Sequence, residues 1–406
     1  MIASDGGNGD QFGRSVSLSG ERALIGARWD DDDNNGSNAG SAYVFEFESA
    51  AWSETARLTT SDGAANDFFG ASVSLSGTRA LIGASGDGDI GFNSGSAYVF
   101  DFNGSTWLET TKITTSDGSV DDLFGSSVGL SGEQALVGAR LDDENAPDSG
   151  SAYLFEFIGT VWTESTKLTA GDGPVDDQFG WSVSISGDRA LVGAYRDDDN
   201  GGASGSAYIF SFDGASWMMA IKLTPDDGEF AAVFGASVSL SGDRALIGAP
   251  GDRQNAPSSG AAYVFDFDGT TWRATAKLTA SDGSFNDTFG ASVSPLGDRA
   301  LIAAPNDNSN SGSVYVFTFN GASWDEITKL TASDGAPDDL FGNSLSLGSN
   351  RLLVGAPSFA SNGSNPGSAY IFDFNGNAWS EAAKITPTDG APNELFGYSV
   401  SLQGCR

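Results

Sequence analysis

The chain has 406 residues, 39% of them hydrophobic, enough to bury one large core or several small ones. Its 54 acidic against 20 basic residues leave a net charge of −34, which repels nucleic acid and anionic membranes and favours cations or basic partners. There is no apolar run of membrane-spanning length, no histidine, and one cysteine, Cys405; this excludes a membrane-spanning helix, a disulfide framework and every His-dependent triad or metal site.

The chain opens with MIASDGG, which matches the inside of a later unit such as KLTASDGS (277–284). A Phe-Gly pair follows at Phe12 and returns at Phe69, Phe124, Phe179, Phe234, Phe289, Phe341 and Phe396, spaced by 52 to 57 residues. Tyr43, Tyr98, Tyr153, Tyr208, Tyr263, Tyr315 and Tyr370 keep the same register, as do Trp52, Trp107, Trp162, Trp217, Trp272, Trp324 and Trp379. Seven units are complete and an eighth is begun.

Each unit predicts four strands in succession. FGASVSLSG (69–77) alternates small polar and apolar residues, the period of a pleated strand. RALIGA (79–84) is a continuous apolar run, as expected of a strand covered on both faces. GSAYVFDF (95–102) is aromatic and β-branched, and TWLETTKI (106–113) alternates polar groups with Trp, Thr and Ile. Gly-Asp or Gly-Glu joins the first two strands, as at Gly187-Asp188, and Asn-Gly or Asp-Gly joins the last two, as at Asn103-Gly104 and Asp268-Gly269. The two remaining connections are long.

No stretch has a helical period, so the fold class is all-β. Seven four-stranded meanders predict a seven-bladed β-propeller of antiparallel blades, with a linear solenoid as the alternative. The blades are expected at about 4–58, 61–113, 116–168, 171–223, 226–278, 281–330 and 333–385, together one domain over 1–406. Residues 388–406 form a partial eighth repeat, a surplus first strand that stops in mid-hairpin. Residues 12–19 and 396–402 are therefore expected to compete for one innermost position, or one of them to stay unpaired. This phase suits a piece of a longer repeat protein.

FGASVSLSGDRALIGAPGD (234–252), continuing into SGAAYVFDF (259–267), resembles the FG-GAP repeat of integrin α-subunit propellers and of bacterial surface proteins. Gly-Ala-Pro is intact at 248–250 and 355–357; elsewhere the Pro is often replaced, as at Arg28, Ser85, Arg140 and Tyr195. The resemblance covers essentially the whole chain. It implies a seven-bladed propeller with a role in adhesion or partner binding, secreted or at the cell surface, and no particular chemistry. The integrin-type repeat carries an Asp-x-Asp-x-Asp-Gly calcium loop between its first two strands. Here that connection is as short as Ser241-Gly242-Asp243-Arg244, too few oxygens to wrap a Ca²⁺, so the family's metal loops do not carry over.

In a meander the two long connections emerge at one end of a blade, and most of the acids lie in them. An Asp-Gly recurs at Asp5, Asp62, Asp117, Asp172, Asp227, Asp282, Asp334 and Asp389. A second acid stands two residues before Phe at Asp10, Asp67, Asp122, Asp177, Asp287, Asp339 and Glu394, with Ala232 in the fifth copy. A turn reading and a metal reading both fit; repetition in every unit favours the turn. The second-to-third loops vary instead, from DDDDNNG (30–36), LDDENAPD (141–148) and RDDDNGG (196–202) to the carboxylate-free SFASNGSNPG (358–367). Variation on a constant scaffold is where binding resides.

The candidate metal ligands are Asp31, Asp33, Asp142, Asp143, Asp197 and Asp199, and hard oxygens of this kind suit Ca²⁺. No other cofactor is expected. The candidate partner-binding residues are Trp29, Asp30, Asp32, Tyr195 and Asp198. The function expected is that of a non-enzymatic, monomeric extracellular adhesion module binding a protein or cell surface, with Ca²⁺ assisting. A carbohydrate-binding propeller is the alternative, with Trp29 and the equally off-register Trp181 as platforms. Catalysis is not expected, since adjacent acids recur without a distinguished pair.

Overall fold

The computed structural model describes the chain apart from residues 2, 8, 32–34, 49–50, 174, 226, 359–365, 387–394 and 403–406. In the second repeat the alternating segment forms a strand at Phe69–Ser76 and the apolar run forms one at Arg79–Ala84. Strands at Ser96–Phe102 and Trp107–Ile113 complete the sheet. Their burial follows the residue pattern. Ala80 to Ala84 are covered on both faces, whereas Trp107–Ile113 alternates between buried and exposed at the sheet's outer edge.

The turns follow local chemistry. Gly77 takes φ +61° between the first two strands. Between the last two, Gly104 takes φ +98° while Asn103 Oδ1 accepts the N–H groups of Ser105 and Thr106, each at 2.9 Å. The Asn thus works as a backbone acceptor in a four-residue connection, not as half of a two-residue turn.

The pattern recurs in seven four-stranded antiparallel sheets, each ordered as in the chain, over residues 12–58, 69–113, 124–168, 182–223, 237–278, 293–330 and 344–385. This is the all-β fold class of a seven-bladed propeller. Among the described residues the one helical segment, Asp307–Asn310, is a turn in which Asn308 and Ser309 have left-handed φ of 52° and 61°. By density of internal packing the chain divides into two units, Met1–Gly187 and Asp188–Arg406.

Within each unit, neighbouring blades share their cores. In the first, Leu24, Val44 and Leu58 of blade one pack with Phe69, Leu75, Ile82 and Trp107 of blade two. In the second, Leu191, Ile209 and Leu223 pack with Phe234, Ile247 and Trp272. The arginine that opens a second strand reaches across to the next blade's aromatic pair. Arg22 lies 4.4 Å from the Phe102 ring, Arg79 4.1 Å from Phe157, and Arg299 4.4 Å from Phe374. The in-register tryptophans are therefore packing groups.

The repeated glycines are there for a close approach. Gly70 (φ +87°) of the Phe-Gly pair lies against Gly26 of the previous blade, and Ser15 Oγ donates to the Gly70 carbonyl at 2.8 Å. Phe69 is fully buried and forms an isolated parallel bridge with Gly40. The same contact recurs at Gly83 with Gly125, where Ser72 Oγ donates to the Gly125 carbonyl at 2.7 Å.

At the C-terminal end, Phe396 bridges Gly367 and Leu402 N donates to Ser346 Oγ at 2.7 Å, so this segment lies along blade seven. Blade one has its own first strand, Phe12–Ser19, and among the described residues 396–402 join no sheet. The contacts of this segment are instead with blade seven, where Asn343 Nδ2 also donates to the Tyr398 carbonyl at 2.8 Å.

Candidate functional site

The register of the last two strands pairs Tyr98 with Lys112. Two loops converge on that pair, the one entering the blade and the one joining its second and third strands. The Tyr98 hydroxyl lies 2.9 Å from Asp62 Oδ1 and 2.8 Å from Asp87 Oδ2. Lys112 Nζ bonds Asp62 and Asp87 at 2.8 Å each and Asp89 at 2.6 Å. A hydroxyl has one proton to donate, so it serves one carboxylate at a time, and the shared ammonium holds the second close. Asp87 is 2% exposed, and a carboxylate so buried is tolerable only when paired.

Every blade repeats the arrangement with its own members. Blade one uses Tyr43, Asp5, Asp30 and Arg57; blade three uses Tyr153, Asp117, Asp142 and Lys167. In the second unit, Tyr263 joins Asp227, Asp252 and Lys277, and Tyr315 joins Asp282 beside Lys329. In blade seven, whose second-to-third loop carries no carboxylate, Tyr370 and Lys384 hold Asp334. Burial, reinforced by the carboxylates, raises the pKa of Tyr43, Tyr98, Tyr153, Tyr263, Tyr315 and Tyr370; Tyr370 is pushed up to about 12 and the other five further.

The three acids of TASDGAPDDLFG (331–342) now have separate roles. Asp334 is in the ion-pair network, held below the usual carboxylate range by the Lys384 ammonium. Asp338 sits at φ +67°, a left-handed conformation that Asp and Asn tolerate better than most residues. Asp339 is buried and accepts the Ala336 N–H at 2.8 Å, closing the turn. Asp67 does the same for Ala64 in blade two, and burial there pushes its carboxyl up to about 6.

These opposite shifts set the pH dependence. A raised carboxyl such as Asp67 stabilises the fold fully below about 3.8, and that contribution is lost as pH rises through about 6. Burial alone would raise Asp62, Asp227 and Asp282, but their lysine and tyrosine partners hold them below the ordinary aspartate value of 3.8. Their contribution is present above 3.8 and is lost on acidification. In chelator at constant ionic strength, the melting temperature is therefore expected to rise from pH 7 to 5 and to fall below about 4. Asp67→Asn should flatten the upper arm; an unchanged profile in that variant would exclude Asp67 as its source.

The structure places the sequence-derived candidates differently from one another. Of the metal set, Asp142 and Asp197 are 3% and 0% exposed and held by Lys167 and Lys222. Asp199 also bonds Lys222, at 2.6 Å. Asp31 and Asp143 are exposed, their Oδ1 atoms accepting the Asn38 and Asp148 N–H groups at 2.8 and 2.7 Å. Asp33 lies outside the described residues. Of the partner set, Asp30 is 4% exposed and accepts from Tyr43 and Arg57. Asp198 is exposed, Tyr195 is half-buried, Trp29 is half-exposed with Arg28 5.0 Å from its ring, and Asp32 lies outside the described residues.

What the residue pattern alone missed is the basic member. Arg57, Lys112, Lys167, Lys222, Lys277, Lys329 and Lys384 each precede the Leu or Ile that ends a fourth strand. That register was readable beside the Tyr and Trp registers and would have pointed to an internal counter-ion.

Against known proteins, the FG-GAP repeat matches residues 1–45, 52–100, 107–155, 162–210, 217–265, 272–317, 324–372 and 379–405. The chain belongs to the FG-GAP repeat family. No curated protein matches it. The six FG-GAP matches from 52–100 to 324–372 each begin at a fourth-strand Trp and end in the next third strand, so the sequence unit is offset from the blade by one strand. Propellers of FG-GAP repeats are typically non-enzymatic and are typical of extracellular or surface proteins. Among the described residues no helix is long and apolar enough to cross a membrane.

Proposed function

We propose that this FG-GAP protein is a non-enzymatic interaction module, secreted or displayed at a cell surface, that adheres to a basic protein or surface through its long-loop ends. The observation that supports this reading is the mixture of exposed apolar side chains with carboxylates in those loops. In the first unit Ile90, Phe92 and Val120 are 50%, 71% and 56% exposed. The Phe92 carbonyl accepts the Asp121 N–H at 2.8 Å, so their loops run side by side. Asp89 and Asp121 flank them in sequence. In the second unit Phe230 and Phe285 are 66% and 72% exposed in the equivalent loops. Large apolar groups exposed within a charged rim mark interaction surfaces, and here the rim selects cationic partners.

The test is capture of extracellular and surface proteins by the intact chain, compared with Phe92→Ala, Phe230→Ala and Asp198→Lys. A partner retained by the wild type is expected to be lost from at least one variant and released by salt. A partner set unchanged in all three variants would sink the reading. A glycan is the second reading, since Trp29 and Trp181 remain 40% and 37% exposed, each beside an arginine, Arg28 and Arg140. A glycan array on which binding disappears with Trp29→Ala would select it.

A further inference from the structure

In blade six the connection between second and third strands spans eight residues, 305–312, against eleven, 250–260, in blade five. Beside the shorter loop lies a cleft of about 620 Å³, within the roughly 300–1,000 Å³ of small-molecule sites. Ser284, Phe285 and Asn286 of the entering loop line it together with Asn306, Asn308 and Ser309 of the second-to-third loop. Its charges are largely engaged. Lys329 Nζ bonds Asp282 at 2.7 Å and Asp307 at 2.5 Å, and Asp287 Oδ2 accepts the Ser284 N–H at 2.6 Å. Its amides are not. Asn310 Nδ2 donates to Asp338 Oδ1 at 2.9 Å, but among the described residues the side chains of Asn286, Asn306 and Asn308 make no hydrogen bond within the protein.

Other blades show what is particular to this one. In blade three, Asp143 and Glu144 stand where blade six has Asn308 and Ser309. In blade five the aromatic position is kept as Phe230, but Arg253, in place of Asn308, lies 5.7 Å from its ring centroid. Blade six keeps the ring and surrounds it with amides, and Phe285 is 72% exposed. A side-chain amide presents a donor and an acceptor side by side, which matches a pair of neighbouring hydroxyls. An open ring takes the C–H face of a pyranose by apolar contact. An extended peptide docks along an unpaired strand edge or an apolar groove, whereas this cleft is walled by turns.

We propose that the blade-six cleft binds a neutral sugar residue, stacked on Phe285 and hydrogen-bonded by the Asn286, Asn306 and Asn308 amides. The site uses neither Trp29 nor Trp181. It does not rest on the protein-binding reading, because it is measured with free sugars; a captured protein lost from Phe92→Ala leaves it untouched.

The probes are the methyl glycosides of glucose, galactose, mannose and N-acetylglucosamine, with glucuronic acid as the charged comparator, titrated against the full chain by saturation-transfer NMR. At least one neutral glycoside is expected to bind saturably, with a dissociation constant of about 1 mM, the strength of a few hydrogen bonds and one stacked ring. Phe285→Ala should weaken that binding about tenfold or more. Asn308→Asp, which installs blade three's residue and removes a donor, should weaken it about fivefold. Both side chains are exposed, so the melting temperature of either variant should stay within about 1 °C of the wild type. Phe230→Ala and Trp29→Ala should leave the affinity unchanged. Unchanged affinity in Phe285→Ala, loss of binding in Trp29→Ala instead, or no saturable binding of any neutral probe up to about 50 mM would overturn the proposal. So would binding confined to glucuronic acid.

Discussion

Replacing Lys112 by Met is expected to destabilise the first unit by about 3–5 kcal/mol at pH 7, the cost of leaving a buried carboxylate without its counter-ion. Asp87, at 2% exposure, has Lys112 at 2.8 Å and the Tyr98 hydroxyl at 2.8 Å; with Lys112 removed it keeps only neutral donors, the hydroxyl shared with Asp62 and the Asp89 N–H at 3.0 Å. The loss should shrink toward pH 4, where the stranded carboxyls can protonate, and Lys112→Met combined with Asp87→Asn should recover most of it. Urea unfolding of the single and double variants measures both. A cost under about 1 kcal/mol for Lys112→Met would class the network with exposed surface pairs.

Gly83→Ala is expected to cost about 3 kcal/mol or more, because the added methyl has nowhere to go. Gly83 is in the second strand of blade two, and a Cβ built on it would fall well inside contact distance of the Gly125 carbonyl oxygen and Ser72 Oγ. One of these is backbone and cannot swing aside. The sixth blade shows the consequence of that change in the same chain, since Ala303 stands where the other blades have glycine. Its Cβ is 3.1 Å from a Cβ built on Gly342 of the next blade. The serine-to-carbonyl bond found at Ser15, Ser72 and Ser237 is not made by Ser292, and the parallel bridge found at Gly40 and Gly260 is missing at Gly312. Ala303→Gly should accordingly stabilise the second unit, and Gly83→Ala should lower the melting temperature more than any exposed-loop change. Equal stability of Gly83→Ala and wild type would show that the joint between blades can relax.

The strands were legible because each depends on a local period: RALIGA reads as doubly covered and is, and the fourth strand alternates as written. The surplus terminal strand followed from counting. The roles of the acids were not legible in the same way. In LDDENAPD, Asp142 and Asp143 are neighbours of identical chemistry, yet one is buried against Lys167 and the other is exposed. Which is which depends on how the loop enters the third strand, and that is fixed by the Tyr153 hydroxyl 2.7 Å from Asp142 Oδ2, a contact between residues eleven apart. Similarly, Asp30 reads as the start of an exposed acidic run but closes the network with Arg57, 27 residues away. Periodicity reports on faces of strands; it carries no information about which carboxylate of a run turns inward.

The one-strand offset between FG-GAP match and blade has a consequence for how such a chain can grow. The match over 52–100 holds the last strand of one blade and the first three of the next, so it contains Leu58 together with Phe69, Leu75, Ile82 and Tyr98, which pack in one cluster. A copied segment in this frame arrives carrying both halves of a mated seam, and it ends inside a hairpin whose other half the next copy supplies. Duplication or deletion by whole repeats can therefore change the blade number while each new seam is already complementary, leaving the variable loops free to diverge one blade at a time.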